Sequence, residues 1–346
     1  MRKLIIILFV LMILPISVSA DDFTAPEAPE AAEEYMPEDA ESFSEGFWYV
    51  IKTAIGRTQP VIAETTKTAL SCISVILLCS IIQGFSGNTK RVVSLVGTVL
   101  VGIILLRPTD GLIHLGAQTV TDMSDYGSLL IPVMTGALAA QGGVGTSGAL
   151  YAGTMLFGTV LNKLIASLVI PLMYIYIAVG ICNCAVSQPL LQELKKFLKW
   201  LVTWTLKIIL YIFIGYIGIT GVVSGTADAA AVKATKLTIS GLVPVVGGII
   251  SDASETILIS AGLVKNSIGI YGLLVYLSIL IGPFLRIGIP YLLLKVTGAV
   301  CMVFGVKNPS EMLHEFSSVI GMILGMTGTV ALLLMVSTVC FMKGIA

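Results

Sequence analysis

The chain has 346 residues, of which 56% are hydrophobic and only 12% charged, with a mean hydropathy of +0.98; soluble domains carry roughly 25% charged residues, so the composition excludes a soluble globule and indicates a polytopic membrane protein. The formal net charge of zero conceals an asymmetry: all ten charged residues from Asp21 to Glu45 are acidic, leaving ten acidic and eighteen basic residues from Gly46 onward. The bases are spread along the ends of apolar runs rather than gathered on one face, which excludes a nucleic-acid partner.

Met1 to Ala20 has Arg2-Lys3, an apolar run from Leu4 to Leu14 and Val18-Ser19-Ala20 ahead of Asp21. This is the three-part form of a secretory signal peptide, so the mature N-terminus is expected outside the cell. The alternative is an uncleaved first anchor, for which the apolar run is short. Residues 21–46 are acidic, carry Pro26, Pro29 and Pro37, and read as a disordered extracytoplasmic tail. From Phe47 to Thr68, Trp48, Tyr49, Ile51 and Ile55 alternate with Lys52, Arg57 and Lys67, the pattern of an amphipathic segment at the membrane interface. Residues 69–346 then read as an all-α transmembrane domain of about seven to nine membrane segments, some of them Pro/Gly-broken or re-entrant.

Spans are expected at Ala69–Phe85 and Val92–Leu106, with Lys90-Arg91 in a cytoplasmic turn and Asp110, Asp122 and Asp125 in an outer loop. Tyr126 to Leu161 is a glycine-rich block containing Pro132, Gly136, Gly142-Gly143, Gly145, Gly148 and Gly153. Its apolar arms, each about 14 residues, are short against the roughly 20 that a spanning helix needs, so it is either a tight pair of spans or a re-entrant hairpin with close backbones. Leu164 to Val186 crosses inward with a kink at Pro171. Pro189 to Trp200 sets Leu190, Leu191, Leu194, Phe197 and Leu198 against Lys195, Lys196 and Lys199, as a cytoplasmic interfacial helix or a polar loop leading into the span Leu201–Val223.

Lys233 to Lys265 carries a Pro244, Gly247-Gly248 break followed by Asp252 and Glu255. Lipid cannot satisfy the backbone groups such a break frees, and ionisable residues at that depth point to function. Together with Asp228 these acids form a candidate polar path, with Lys233, Lys236 or Lys265 as salt links; the competing reading is an ordinary solvated loop. Lys236-Leu237-Thr238-Ile239-Ser240, then Val243 to Ala253 (VPVVGGIISDA), with Ile131-Pro132-Val133 ahead of the glycine block, resembles the signature of the stage III sporulation protein AE family of endospore-forming bacteria. The resemblance extends over about Tyr126 to Lys343.

An offset of 112 residues sets Ile131-Pro132-Val133 over Val243-Pro244-Val245, and one of 119 sets Leu194 over Leu313 and Phe197 over Phe316. Either apolar sequences align here by chance, or residues 126–225 and 238–343 are repeats. The basic Pro189–Trp200 stretch and its counterpart Pro309–Ser317, with Glu311, His314 and Glu315, would then lie on opposite membrane sides, making the repeat inverted. That arrangement places Arg286 in an inside turn and the C-terminus, Lys343, in the cytoplasm. Paired broken segments in inverted halves point to a midplane site.

Catalytic chemistry finds little footing. Gly145-Thr146-Ser147-Gly148 resembles the serine motif of rhomboid-type intramembrane proteases, but a serine nucleophile needs an adjacent base, and His114 and His314 are both expected outside the spans. The motifs of intramembrane aspartyl proteases and of phosphate-binding loops are absent. The six cysteines lie in apolar stretches; Cys182 and Cys184 lack a second Cys/His pair, so packing is expected and no metal.

The resemblance therefore implies a subunit without catalytic residues or cofactor. It would be a multi-pass protein of the mother cell membrane around the forespore, in a channel-like assembly required for late forespore development. Its implied partners are the lipid bilayer, the other stage III sporulation A proteins including the secretion-type ATPase, and indirectly stage II sporulation protein Q, with homo-oligomerisation open. The alternative from the residues alone is a self-contained secondary transporter or ion channel with its site at the broken helices.

Overall fold

The computed structural model describes residues 24–37, 42–85, 90–186, 188–242 and 247–343, apart from the side chains of 220–261 and 264. Among the described residues there is no strand. The elements are α1 (Glu30–Glu33), α2 (Phe43–Gly56), α3 (Gln59–Phe85), α4 (Lys90–Ala140), α5 (Val144–Leu164), α6 (Ile170–Val186), α7 (Pro189–Leu242), α8 (Gly247–Cys301) and α9 (Lys307–Lys343). Helices are what this composition permits, because in lipid every backbone N–H and C=O must be satisfied within its own segment. Six stretches are long and apolar enough to cross a membrane: Gln59–Phe85, Lys90–Ala140, Val144–Val186, Pro189–Ile219, Lys265–Phe304 and Lys307–Lys343. The chain is an all-α, multi-pass membrane protein.

The bundle is built around α9, which touches α4, α5, α6, α7 and α8. Met312, Leu313, Phe316, Ile323, Met326 and Phe341 are essentially removed from solvent along its length. Glycines on α4 let α9 approach closely and show that the two helices run in the same direction. A side chain added at Gly97 would meet Pro309, at Gly102 Met312, at Gly116 Ile323 and at Gly127 Leu334. At Gly116 the added carbon would collide with Ile323 Cγ2 and sit 3.2 Å from Met326 Cε. Gly116→Val is therefore expected to cost about 1–3 kcal/mol in reversible unfolding from detergent micelles. Gly111→Ala, with nothing within 4 Å on the same helix, should be neutral or stabilising by up to about 1 kcal/mol. Equal effects of the two would contradict the packing.

Several expectations are corrected. The segments expected at Val92–Leu106 and in the first glycine-rich arm are one helix of 51 residues, about 77 Å long at 1.5 Å per residue. Asp110, Asp122 and Asp125 thus lie on α4 rather than in a loop. Tyr174 Oη donates to Asp110 at 2.7 Å and Gln118 Nε2 to Asp122 at 2.7 Å. Pro132 does not break α4, and Gly136 also lies within it; Leu130, Ile131 and Met134 around the proline are fully buried, so tertiary packing holds the helix through it. The turn comes at Gly142-Gly143, where Gly142 takes φ +98° and the two N–H groups bond the carbonyls of Ala139 and Leu138. Near Pro171 the helix widens into a π turn, Ile165–Val169, which accommodates the missing N–H and the ring's demand for space at the carbonyl four residues back.

The acidic N-terminal stretch is not free of the bundle in its described part. Ala32 is fully buried and Tyr35 joins Val50, Ala54 and Leu277 in a small core, with the Tyr35 hydroxyl lodged where Gly282 lacks a side chain. Arg57 pairs with Glu34 and lies 5.5 Å above the Tyr35 ring. The α2 N-terminus is closed by Ser42, whose hydroxyl accepts from the Glu45 N–H at 3.3 Å, in the Ser-x-x-Glu pattern of a capping box. The aromatic ring and the ion pair supply the anchoring that the sparse aliphatic content of 21–46 concealed.

Candidate functional site

Two charged residues of the bundle's interior pair where α6, α7 and α9 converge. Lys195 Nζ lies 2.5 Å from Glu315 Oε1, and both side chains are only 12% exposed. The Tyr176 hydroxyl donates to the other carboxylate oxygen at 2.7 Å. Gly180 on α6 makes room for the carboxylate: a Cβ there would touch Glu315 Cβ at 3.7 Å. Both oxygens of the acid are thus engaged, which is what allows two charges to be held out of water.

One turn further along α7, Lys199 Nζ approaches Ser318 Oγ at 3.4 Å. The two contacts place Pro189–Trp200 and Pro309–Ser317 side by side and running the same way. The expectation that they occupy opposite membrane sides is overturned, and with it the inverted form of the repeat. The basic and acidic stretches complement each other because they pair, not because they face different leaflets. Since α9 runs parallel to α7, Lys343 lies towards the other end of the bundle from Pro189, so the expected cytoplasmic placement of both does not hold for straight crossings. Arg286 lies within α8, not in a turn. Nor is Pro309–Ser317 a surface helix, since Pro309, Ser310, Met312, Leu313, Phe316 and Ser317 are all buried.

Beside the ion pair opens a cavity of about 360 Å³ between α7, α8 and α9. Its lining includes Lys199 and Lys207 from α7, Tyr291 and Lys295 from α8, and His314 and Ser318 from α9, with no carboxylate among the described residues. Lys295 Nζ lies 3.2 Å from the Tyr291 hydroxyl and 5.3 Å from its ring centroid. Ammonium groups and hydroxyls in one lining are chemistry suited to anionic groups. A second cavity, between α3, α4 and α8, gathers Glu64, Arg107 and Arg286 beside Pro108 and Pro290.

Of the residues expected to form a site, Lys195 is engaged in the buried pair and Lys199 lines the cavity, whereas Lys196 is exposed and bonds Glu193 at 2.7 Å. Pro244 lies outside the described residues; Asp228 falls on α7 and Gly247, Gly248, Asp252 and Glu255 on α8, where the side chains are outside the description. Lys265, foreseen as a salt link for those acids, is 2% exposed and donates to Gln141 Oε1 at 2.5 Å, next to the C-terminal end of α4 where the helix dipole favours a cation. Ser147 is buried with its hydroxyl on the Val144 carbonyl at 3.0 Å. The nearest ring contact of His114 is Asp110, on its own helix. Tyr176, Lys295 and Tyr291 were not singled out from sequence; Glu315 was legible only as one of the acids of Pro309–Ser317, the counterpart of the basic Pro189–Trp200 stretch.

The family model for stage III sporulation protein AE matches residues 39–344. The stage III sporulation protein AE of Bacillus subtilis (strain 168) is 24% identical over 235 residues, covering 66% of this chain and 59% of that relative, so the match spans less than two thirds of the relative's length. No solved structure matches. With the family model covering almost the whole helical bundle, the chain belongs to the stage III sporulation protein AE family.

Proposed function

We propose that this chain is a non-enzymatic membrane subunit of a channel-like sporulation complex in the mother cell membrane facing the forespore. In this reading it works beside other stage III sporulation A proteins, including the secretion-type ATPase, and indirectly with stage II sporulation protein Q. The carrying observation is the family match over residues 39–344. The shape of the bundle supports a wall-forming part more than a self-contained conduit. Its axis is occupied by α9, packed with Phe316, Ile323, Met326 and Phe341, so a solute path runs between subunits rather than through the centre of one. That favours the complex over the free-standing transporter.

The test is affinity purification of the tagged protein from gently solubilised membranes of sporulating cells. Co-recovery of the ATPase and other stage III A proteins is the expected result. Recovery as a homogeneous species, together with solute flux in vesicles containing this protein alone, would reject the proposal.

A further inference from the structure

We propose that the basic cavity between α7, α8 and α9 binds the phosphate-bearing headgroup of an anionic phospholipid. The cavity is a built feature. Lys199, Thr203 and Lys207 recur every four residues, so they stand in one stripe along α7. Gly321 and Gly325, also four apart, lie on the facing part of α9. Their missing side chains leave the floor open; a Cβ at Gly325 would meet nothing within 4 Å, and one at Gly321 would meet the Tyr291 ring at 3.0 Å. Lys295 closes the opposite wall.

The charge of the lining is uncompensated. Glu315, the neighbouring acid, has both oxygens taken by Lys195 and Tyr176. Among the described residues Lys199, Lys207 and Lys295 form no ion pair; Lys199 has only the Ser318 hydroxyl and Lys295 only the Tyr291 hydroxyl and ring. Three ammonium groups and an imidazole that share a groove within membrane-crossing helices call for an anion. Hydroxyls of Thr203, Tyr291, Ser317 and Ser318 add donors suited to phosphate oxygens.

The groove's flanks identify the anion as part of a lipid. Trp200, Trp204, Leu292 and Val296 each follow a lining residue in sequence, so they sit on the adjoining helix faces, and all four are exposed. Apolar residues bordering a lysine-lined pocket between transmembrane helices are the surroundings that acyl chains cover while the headgroup enters, with tryptophans at the level of the interface. A volume of about 360 Å³ lies within the range of small-ligand pockets and suits a headgroup without its chains.

The experiment titrates the purified full chain, in mild non-ionic detergent, with dioleoylphosphatidylglycerol, dioleoylphosphatidylcholine or inorganic phosphate, reading bound lipid by native mass spectrometry and the unfolding temperature. Phosphatidylglycerol is expected to bind saturably and raise the unfolding temperature, with phosphatidylcholine and inorganic phosphate far weaker. Lys207→Gln and Lys295→Gln should each weaken phosphatidylglycerol binding about fivefold, Lys207→Arg should retain it, and Lys52→Gln, far along the chain on α2, should leave it unchanged. Should Lys295→Gln fail to fold, Lys207→Gln alone carries the test, because Lys207 is exposed and outside the buried ion pair. Equal binding of phosphatidylcholine, or unchanged affinity in both glutamine variants, would overturn the proposal. Inorganic phosphate as effective as the lipid would overturn the lipid source, leaving a free-anion site.

Discussion

Glu315→Ala is expected to destabilise the bundle by about 3–5 kcal/mol, because it leaves the Lys195 ammonium buried without its counter-charge. Both side chains of the pair are 12% exposed, so solvent offers little relief, and Tyr176 loses its acceptor as well. Removing both charges together is different in kind. Lys195→Met combined with Glu315→Leu replaces two costly desolvated ions by apolar side chains of similar size, and it should recover most of the loss. The measurement is a double-mutant cycle of Lys195→Met and Glu315→Leu, singly and together, from unfolding in mixed micelles. Coupling between the sites of several kcal/mol is the expected sign of a shared interaction. Glu315→Ala within 1 kcal/mol of the parent would reject a buried pair.

The second large effect is expected at Tyr276, where the bundle is tied together by a ring instead of a charge. Tyr276 is fully buried and meets Tyr126 edge-on, with centroids 5.3 Å apart and planes at 83°. Gly127 gives it room, since a side chain there would lie 3.0 Å from the Tyr276 hydroxyl and 3.1 Å from Leu334. One ring therefore spans the junction of α4, α8 and α9. Tyr276→Ala should cost about 3–5 kcal/mol, the range for large aromatics truncated in a packed core. Tyr211→Ala, on the outer face of α7 where the ring is exposed, should change stability by less than about 0.5 kcal/mol. Thermal unfolding of both variants in the same detergent distinguishes them, and similar losses would contradict the assigned core.

The membrane class and the helical architecture were legible from composition, because a chain so poor in charge has few other ways to satisfy its backbone. The family signature was legible too, from the Lys236–Ala253 region and the Ile131-Pro132-Val133 triplet. Helix ends were harder to read. Pro132 and the acids Asp110, Asp122 and Asp125 look like breaks and loops locally, yet neighbouring helices hold α4 intact through them. Proline weakens a helix by removing one hydrogen bond, and that loss is outweighed where the flanking side chains are fully buried. The Lys195–Glu315 pair was hidden for another reason. Separated by 120 residues, its members read as two surface helices of opposite charge, and only the parallel course of α7 and α9 brings them into contact. Lys295 and Tyr291 carry no periodic signal beyond that of an ordinary apolar span.

The central position of α9 has a consequence for how the protein is made. Among the described helices α4, α5, α6, α7 and α8 all precede α9 and all pack against it. Until Lys307 and the residues after it leave the ribosome, those helices stand in the bilayer around an unfilled axis, with Tyr176 and Lys195 lacking the carboxylate they share and the glycine face of α4 uncovered. Closure of the bundle is thus a late event in biosynthesis. A chain cut short before α9 is therefore expected to leave these faces open and to be cleaved faster by added protease than the full chain.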